Sequence, residues 1–251
     1  MKAAGRHLRI LELLEAQEFV DLETLCRELD ASDSSIRRDL TELDQRGVLK
    51  RVHGGALAIK PRDNLLDFTW QRARNAEEKH RIAELTANLV EDGQTVLLDG
   101  GTTTAAVAAQ LVNRSLNIIT NSLAIAEIFK DARRIELVLT GGYLYPRLEI
   151  MLGPVCEHAL DGVAADLLIM GIGGVTEAGL SNNNTLLVGS ERKMIEVSHK
   201  VIIVADYTKF GKAAMVHLAP LEAADIVVSD AALAPDYQEM LRAKQIEVLL
   251  A

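Results

Sequence analysis

The chain has 251 residues, of which 49% are hydrophobic, 25% charged and only 4% aromatic, a make-up that excludes a disordered chain and points to a folded protein rich in aliphatic side chains. Its two cysteines, Cys26 and Cys156, stand far apart with no CxxC pair and no clustered histidines, so neither a disulfide framework nor a metal site is expected, and both read as buried thiols. The net charge of −9 disfavours general attraction to polyanions. Residues 1–60 hold ten Lys and Arg against eleven Asp and Glu, so any contact with nucleic acid must be a local patch. Nothing reads as a leader core or as an apolar run of membrane-spanning length, so a cytoplasmic protein with no membrane partner is expected.

Leu8, Ile10, Leu11, Leu13 and Leu14 predict an amphipathic helix over 6–17, and Leu22, Leu25, Cys26 and Leu29 a second over 22–29. Ser32 is placed to cap a third helix, carried by Ile36, Leu40 and Leu43 and stopped by Gly47. With Ile36 inward, Ser34, Arg38, Thr41 and Gln45 fall on the opposite face and Arg37 at its edge. Three helices with tight turns make a helix-turn-helix candidate. The third helix would suit the major groove, where Arg meets guanine edges or phosphates and hydroxyls fit close to the backbone. A solvated helix face has the same composition. What favours DNA is VLKRVHGGALAI, residues 48–59, where alternation on either side of Gly54 and Gly55 predicts a β-hairpin. Its Lys50, Arg51 and His53 are placed to reach phosphates as a wing beside the third helix.

Residues 61–75 mix Pro61, charges and the lone Trp70 without a sustained period and read as a linker, with Phe68 and Trp70 packed beneath it. The expected division is a winged helix-turn-helix domain over 1–60, the linker over 61–75, and an α/β domain over 76–251. The last opens with a helix striped by Ile82, Ala83, Leu85, Leu89 and Val90. Seven apolar runs follow: TVLLD, NIIT, ELVLT, DLLIMGI, VIIVAD, DIVVSD and IEVLL. Together with helices near 104–112, 122–130, 190–198 and 236–243, they predict a doubly wound, mainly parallel sheet covered on both faces.

Ligands of such sheets bind beyond the carboxyl ends of the strands. Here those ends carry Asp99, Gly100, Gly101, Thr102, Thr103 and Thr104 after the first strand and Thr120 and Asn121 after the second. Gly141 and Gly142 follow the third, Gly171 and Gly173 the fourth, and Asp206 and Lys209 the fifth. Glycines and asparagines in tight turns account for any one of these ends, but poorly for five together. After Gly100 and Gly101, the helix beginning at the threonines presents its positive end and hydroxyl donors to an anion such as a phosphate. The run is neither a Walker loop nor GxGxxG, so nucleotides are disfavoured and no cofactor is expected.

IRRDL followed by GVLKRVHGGA resembles the N-terminal winged helix of the DeoR family of bacterial transcription regulators. LLDGGTTT, IITNSLAIA, LVLTGGYLYP, MLGP, MGIGG and VADYTKFGK resemble, in order, that family's C-terminal sensor domain. The resemblance implies double-stranded operator DNA as partner, read by Ser34, Ser35, Arg37 and Arg38, with Ser32, Thr41 and the wing among the contacts. It implies a homo-oligomer, dimer or tetramer, and a phosphorylated sugar or related anionic metabolite as effector. Phosphate would lie on Gly101 to Thr104, ligand hydroxyls near Asp99 and Asn121, and a cationic contact at Lys209. Phe68, Arg72 and Lys79 match positions common in the family between its two domains. Ala31 departs from the β-branched residue usual there, and Asn182 to Asn184 from a frequently acidic stretch; these asparagines read as an exposed turn or as contacts to ligand oxygens. Arg192 and Lys193 read as a solvated face or as a supplement to Lys209.

The sensor domain is also similar in fold to A-type ribose-5-phosphate isomerase, so an isomerase-like enzyme with an accessory DNA-binding head is the alternative. Aldose–ketose isomerisation needs a general base. MGIGG at 170–174 carries no carboxylate where the isomerases have an acid-rich turn, and only Glu177 and Glu191 lie near enough in sequence to replace one. The expectation is a sensor rather than an enzyme.

Overall fold

The structure, a computed structural model, describes residues 3–58 and 68–251 and divides into two compact units, Met1–Ala76 and Glu77–Ala251. Residues 59–67 lie outside the described residues; they include the end of the expected hairpin and the first part of the expected linker.

The first unit holds α1 (Ala3–Ala16), β1 (Phe19–Asp21), α2 (Leu22–Leu29), α3 (Asp33–Gln45), β2 (Leu49–Val52), β3 (Gly55–Ala58) and α4 (Phe68–Ala73). Ile10, Leu14, Leu25, Leu29, Ile36, Leu40 and Leu43 meet in one buried cluster, so the apolar stripes read from the sequence are the faces that pack. Asp21 caps α2 by accepting from Thr24 N at 2.8 Å, and Gly47, at φ +72°, turns the chain out of α3. β2 and β3 form the antiparallel hairpin, and β1 adds to it so that Val20 lies opposite Ala56. The expected linker needs correction at its end. Residues 68–73 are helical, Phe68 and Ala73 are buried, and Trp70 packs against the unit's core with Arg74 5.5 Å above its ring. Burial of aromatic and apolar surface supplies the driving force that periodicity alone did not reveal in so short a segment. Cys26 is half-buried rather than buried.

The second unit opens on α5 (Ala76–Ala87), which begins at the boundary residue. Its main sheet has seven strands: β4 (Thr95–Leu98), β5 (Leu116–Thr120), β6 (Ile135–Leu139), β9 (Leu167–Gly171), β12 (Val201–Val204), β14 (Ile226–Ser229) and β15 (Glu247–Leu250). They lie in the order β15-β14-β12-β9-β4-β5-β6, and every pairing is parallel. These are the seven expected runs. The helices are α6 (Thr102–Leu111), α7 (Leu123–Phe129), α8 (Pro154–Ala159), α9 (Thr185–Glu196) and α10 (Pro235–Ala243), with single 3-10 turns at Tyr207–Lys209 and Leu221–Ala223. Two small antiparallel sheets were not anticipated: β7 (Tyr143–Tyr145) with β8 (Ile150–Leu152), and β10 (Gly174–Thr176) with β11 (Gly179–Asn182) and β13 (Val216–Ala219).

The strand order fixes where a ligand can enter. From β4 the chain winds outward through β5 and β6, then returns to the other side of β4 with β9 and winds outward again through β12, β14 and β15. Connections leave β4 and β9 in opposite directions, which opens a crevice between their carboxyl ends. Asp99 to Thr104 and the 171–174 turn lie at that switch point.

Candidate functional site

In the first unit the candidate DNA face is the outer side of α3. Ile36, Leu40 and Leu43 are buried, while Ser32, Ser34, Arg37, Arg38 and Gln45 are exposed and Ser35 and Thr41 half-buried. Ser32 occupies the N-cap position but makes no capping bond; its hydroxyl lies 3.2 Å from that of Ser34 and 3.0 Å from that of Ser35, a small hydroxyl cluster at the helix start. Arg37 Nε pairs with Asp33 at 2.5 Å, and the guanidinium holds that carboxyl below the usual range. Arg38 has no ion-pair partner among the described residues. Lys50, Arg51 and His53 are exposed on the hairpin. Arg51 Nη1 donates to Thr41 Oγ1 at 2.7 Å, its backbone N–H donates to Asp44 at 3.0 Å, and the Thr41 hydroxyl donates to Arg37 O at 2.7 Å. Thr41 therefore fastens the wing to α3 rather than standing free.

Asp39, in the middle of IRRDL, is 3% exposed. Its carboxylate accepts from Arg6 Nε at 2.7 Å and lies 3.1 Å from His7 Nε2, which pins α1 to the inner side of α3. Sequence reading missed this anchor. A charged residue one step from the apolar stripe was its only local signal.

In the second unit Gly101 occupies the N-cap position of α6 with no side chain capping the helix, so the positive end of the first turn faces the crevice. Thr102 and Thr103 stand at that start and are buried, whereas the Thr104 hydroxyl donates back to Gly101 O at 2.9 Å and is not directed outward. A Cβ at Gly100 would overlap Ile150, so the close approach of β8 requires glycine there. Thr120 is spent within the fold: its hydroxyl donates to Leu98 O at 2.7 Å and accepts from Ser122 N at 3.1 Å, tying the ends of β4 and β5 together.

Asp99 is completely buried, and burial raises its carboxyl to about 7, against a lesser lowering by the Gly100 N–H. Glu191, on α9, is also fully buried; burial first and the charge of Asp99 second push it well above the carboxylate range, opposed only by Asn182, whose Nδ2 donates to Glu191 Oε1 at 2.5 Å. Asn121 Nδ2 donates to Met151 O at 3.2 Å. Gly142, at φ +126°, packs against β8, where a Cβ would stand 2.7 Å from Leu152 O and 3.2 Å from Cys156 Cβ. Cys156 is buried as expected, and burial, only partly offset by its contacts with Thr140 and Ser190, pushes its thiol up. Gly141 and Gly171 have no atom near the place a Cβ would take, while a Cβ at Gly173 would stand 2.7 Å from Asn182 Oδ1.

Asp206 accepts from Thr208 N at 3.0 Å and caps the turn that carries Lys209. Burial pushes its carboxyl up, but Thr208, Lys209 and Lys79 together outweigh burial and hold it below the usual range. Asp206 thus anchors a basic corner rather than offering an open acceptor. The three asparagines divide. Asn183 is exposed and Asn184 caps α9 through Leu186 N at 2.8 Å, but Asn182 is bonded to Glu191 rather than lying in an exposed turn. Arg192 donates to the carbonyls of Leu218 and His217 at 2.9 and 2.6 Å, and Lys193 Nζ pairs with Asp161 at 3.0 Å. Neither residue is a purely solvated group.

Residues 6–62 match the DeoR-like helix-turn-helix domain and residues 74–231 the DeoR C terminal sensor domain. The chain belongs to the DeoR family. The glycerol-3-phosphate regulon repressor of Escherichia coli K12 is 35% identical to it, with 92% of each chain covered. The HTH-type transcriptional regulator GolR of Listeria innocua is 33% identical, covering 90% of this chain and 89% of its own. The ribose 5-phosphate isomerase A of Methanocaldococcus jannaschii is 19% identical, covers 54% of this chain and 55% of its own, and has a TM-score of 0.41, a likeness too slight to bear on chemistry. This DeoR-family chain therefore joins a DNA-binding head to a sensor unit, and no described helix is long and apolar enough to cross a membrane.

Proposed function

We propose that this protein represses genes of carbohydrate use, binding operator DNA as a homo-oligomer and answering to a small phosphorylated sugar or related anionic metabolite. The observation that carries the reading is the uncapped start of α6 at the switch point, directly after Gly100 and Gly101. Backbone N–H groups and the positive end of the helix dipole lie at that start, where Thr102 and Thr103 also stand, a combination that suits a phosphate. Ser32, Ser34, Ser35, Arg37 and Arg38 meet the major groove, with Lys50, Arg51 and His53 on phosphates. Paired heads on repeated half-sites then multiply a limited contact area into affinity and specificity. The effector acts by binding one arrangement of the heads better than another.

The experiment is a selection of bound duplexes from a random pool, followed by release assays with a panel of phosphorylated sugars. The wild type is expected to select repeated half-sites and to respond to a subset of the panel. Arg38→Ala loses about tenfold or more in affinity for the selected site while keeping effector binding, as expected of a base or phosphate contact worth about 1–3 kcal/mol. Thr103→Glu keeps DNA binding and loses the response. Normal response in that variant overturns the anion assignment.

A second reading, turnover of a sugar phosphate, is favoured by one observation: Glu191, which feels the charge of Asp99, is a buried carboxylate of the kind the 170–174 turn lacks. Isomerisation of any responding sugar phosphate, lost in Glu191→Gln, would establish that reading and displace the sensor.

A further inference from the structure

The two arginines of IRRDL follow one another on α3 but are not in the same chemical state. Arg37 reaches back one turn to Asp33, donating from Nε to Oδ1 at 2.5 Å and from Nη2 to Oδ2 at 3.2 Å, so one edge of its guanidinium is taken. Arg38 has no ion-pair partner among the described residues. Both arginines and Asp33 are exposed. An exposed carboxylate at the start of a helix that enters a groove walled by phosphates opposes binding unless its charge is met on the protein side. Arg37 meets it there. The pairing also has a direction: it draws the guanidinium toward the first turn of α3, the end of a recognition helix whose residues contact base edges. With Nε and one Nη2 hydrogen engaged, the remaining donors are the two on Nη1 and one on Nη2, a fork whose shape matches O6 and N7 of guanine. Lys50 and Arg51, exposed on the hairpin, and Arg38 remain as cations for phosphates.

We propose that Asp33 and Arg37 act as one neutral base-reading unit, in which Asp33 is a positioning residue that sets which base pair Arg37 accepts, while Arg38 supplies charge to a phosphate. The inference rests on the reading that α3 lies in the major groove. A guanidinium whose charge is balanced by a carboxylate gains little from a phosphate and releases no counterion there, so what it contributes is hydrogen bonding to a base edge. A freed Arg37 would do the reverse. On a flexible stem, with all five donors and its full charge, it settles on the nearest phosphate, adding affinity for any sequence while losing discrimination. An exposed pair four residues apart on a helix adds little to stability, so this one matters through aim and charge rather than through the fold.

The test uses the full chain, the duplex it selects from a random pool, single-base-pair variants of that duplex and one duplex of unrelated sequence, with binding measured across a range of salt. Arg38→Ala is expected to lower the slope of log affinity against log salt by about one phosphate contact. Arg37→Ala is expected to leave that slope unchanged, to weaken the selected site about tenfold and to relax preference at one base pair. Asp33→Ala is expected to relax preference at the same base pair about tenfold, to bind the unrelated duplex severalfold more tightly and to raise the slope by about one contact. Asp33→Glu, which keeps the charge at the same spacing, restores the wild-type preference. In Arg37→Ala, further replacement of Asp33 leaves preference as it is, because Asp33 acts through Arg37. Melting followed on Trp70, which packs on the core of the first unit, reports whether each variant is folded. A slope lowered in Arg37→Ala as in Arg38→Ala, equal weakening of all sequences by Asp33→Ala, or a change of preference by Asp33→Ala that persists without Arg37 each overturns the inference. If Arg37→Ala and Arg38→Ala both bind every duplex as the wild type does, the placement of α3 in the groove fails with it.

Discussion

The two units treat buried polar groups in opposite ways. In the first, the buried carboxylate of Asp39 is met by Arg6 and His7, and the groups proposed to read DNA stand outside on the frame this anchor holds. In the second, Asp99, Asn121 and Glu191 are buried with an oxygen each unpaired. A surface that meets a large, rigid partner gains from a fixed frame, because the contacts lie outside it. A cleft that must recognise a small molecule instead holds its unmet hydrogen-bonding capacity inside, where a ligand can satisfy it and shift the protein between states.

The largest effect that sharpens this contrast is expected at Asp39. Asp39→Ala leaves Arg6 and His7 facing one another with no anion between them, and removal of one partner from a buried pair costs about 3–5 kcal/mol. The only tryptophan of the chain, Trp70, packs on the core of the first unit, while Tyr143, Tyr145, Tyr207 and Tyr237 all belong to the second. Urea unfolding followed by tryptophan fluorescence should therefore move strongly to lower denaturant, with the tyrosine near-ultraviolet signal little changed. A midpoint unmoved in fluorescence would show that the pair does not hold α1 to α3.

The second effect is on pH and has the opposite origin. Asp99 is raised to about 7 by burial, so from about pH 4 upward the folded protein keeps a proton that the unfolded chain has released. That contribution is complete below the unfolded value and is lost as pH rises to about 7, at roughly 1 kcal/mol per pH unit for each proton retained. Glu191, raised in the same direction, carries the loss further. Melting of the second unit, read on its tyrosines, should fall between pH 5 and 8, and Asp99→Asn should flatten the fall. A wild-type melting point that rises across this range would mean that the pair is ionised and compensated by a group other than those described.

How much of this was readable from the sequence differs between the units for physical reasons. Strands covered on both faces must be apolar throughout, so TVLLD, DLLIMGI and VIIVAD declared themselves as strands of the main sheet, and the order of their polar ends located the crevice. Gly54 and Gly55 likewise announced the hairpin, through a turn chemistry few other pairs allow. β1, the β7–β8 pair and the sheet of β10, β11 and β13 were hidden, being only three or four residues long and in part paired to distant segments, as Leu180 is to Ala219. The strand-end residues formed one polar list in sequence, but the fold sorts them. Thr120 and Asp206 are consumed by the chain itself, whereas Asp99 and Asn121 are left unpaired. Glu191 joined them from a helix far along the chain, and only the packing of α9 could reveal that it is buried and feels the charge of Asp99.

The smallest expected effect tests whether the frame of the first unit is as rigid as its bonds suggest. Thr41 was read as a DNA contact, yet its hydroxyl is engaged on both sides, donating to Arg37 O and accepting from Arg51 Nη1. Thr41→Val keeps the shape and removes both bonds, which predicts a stability loss of about 1 kcal/mol in the tryptophan-monitored transition. If Thr41 acts by holding the wing, the variant should also weaken operator binding severalfold at all sequences alike, because Arg51 loses a fixed aim at the phosphates while base contacts elsewhere on α3 persist. Were Thr41 itself a base contact, the same variant would instead relax preference at one position of the site. Thr41→Ser restores both bonds and is expected to recover affinity and stability together, so recovery of stability without affinity would return Thr41 to the DNA face.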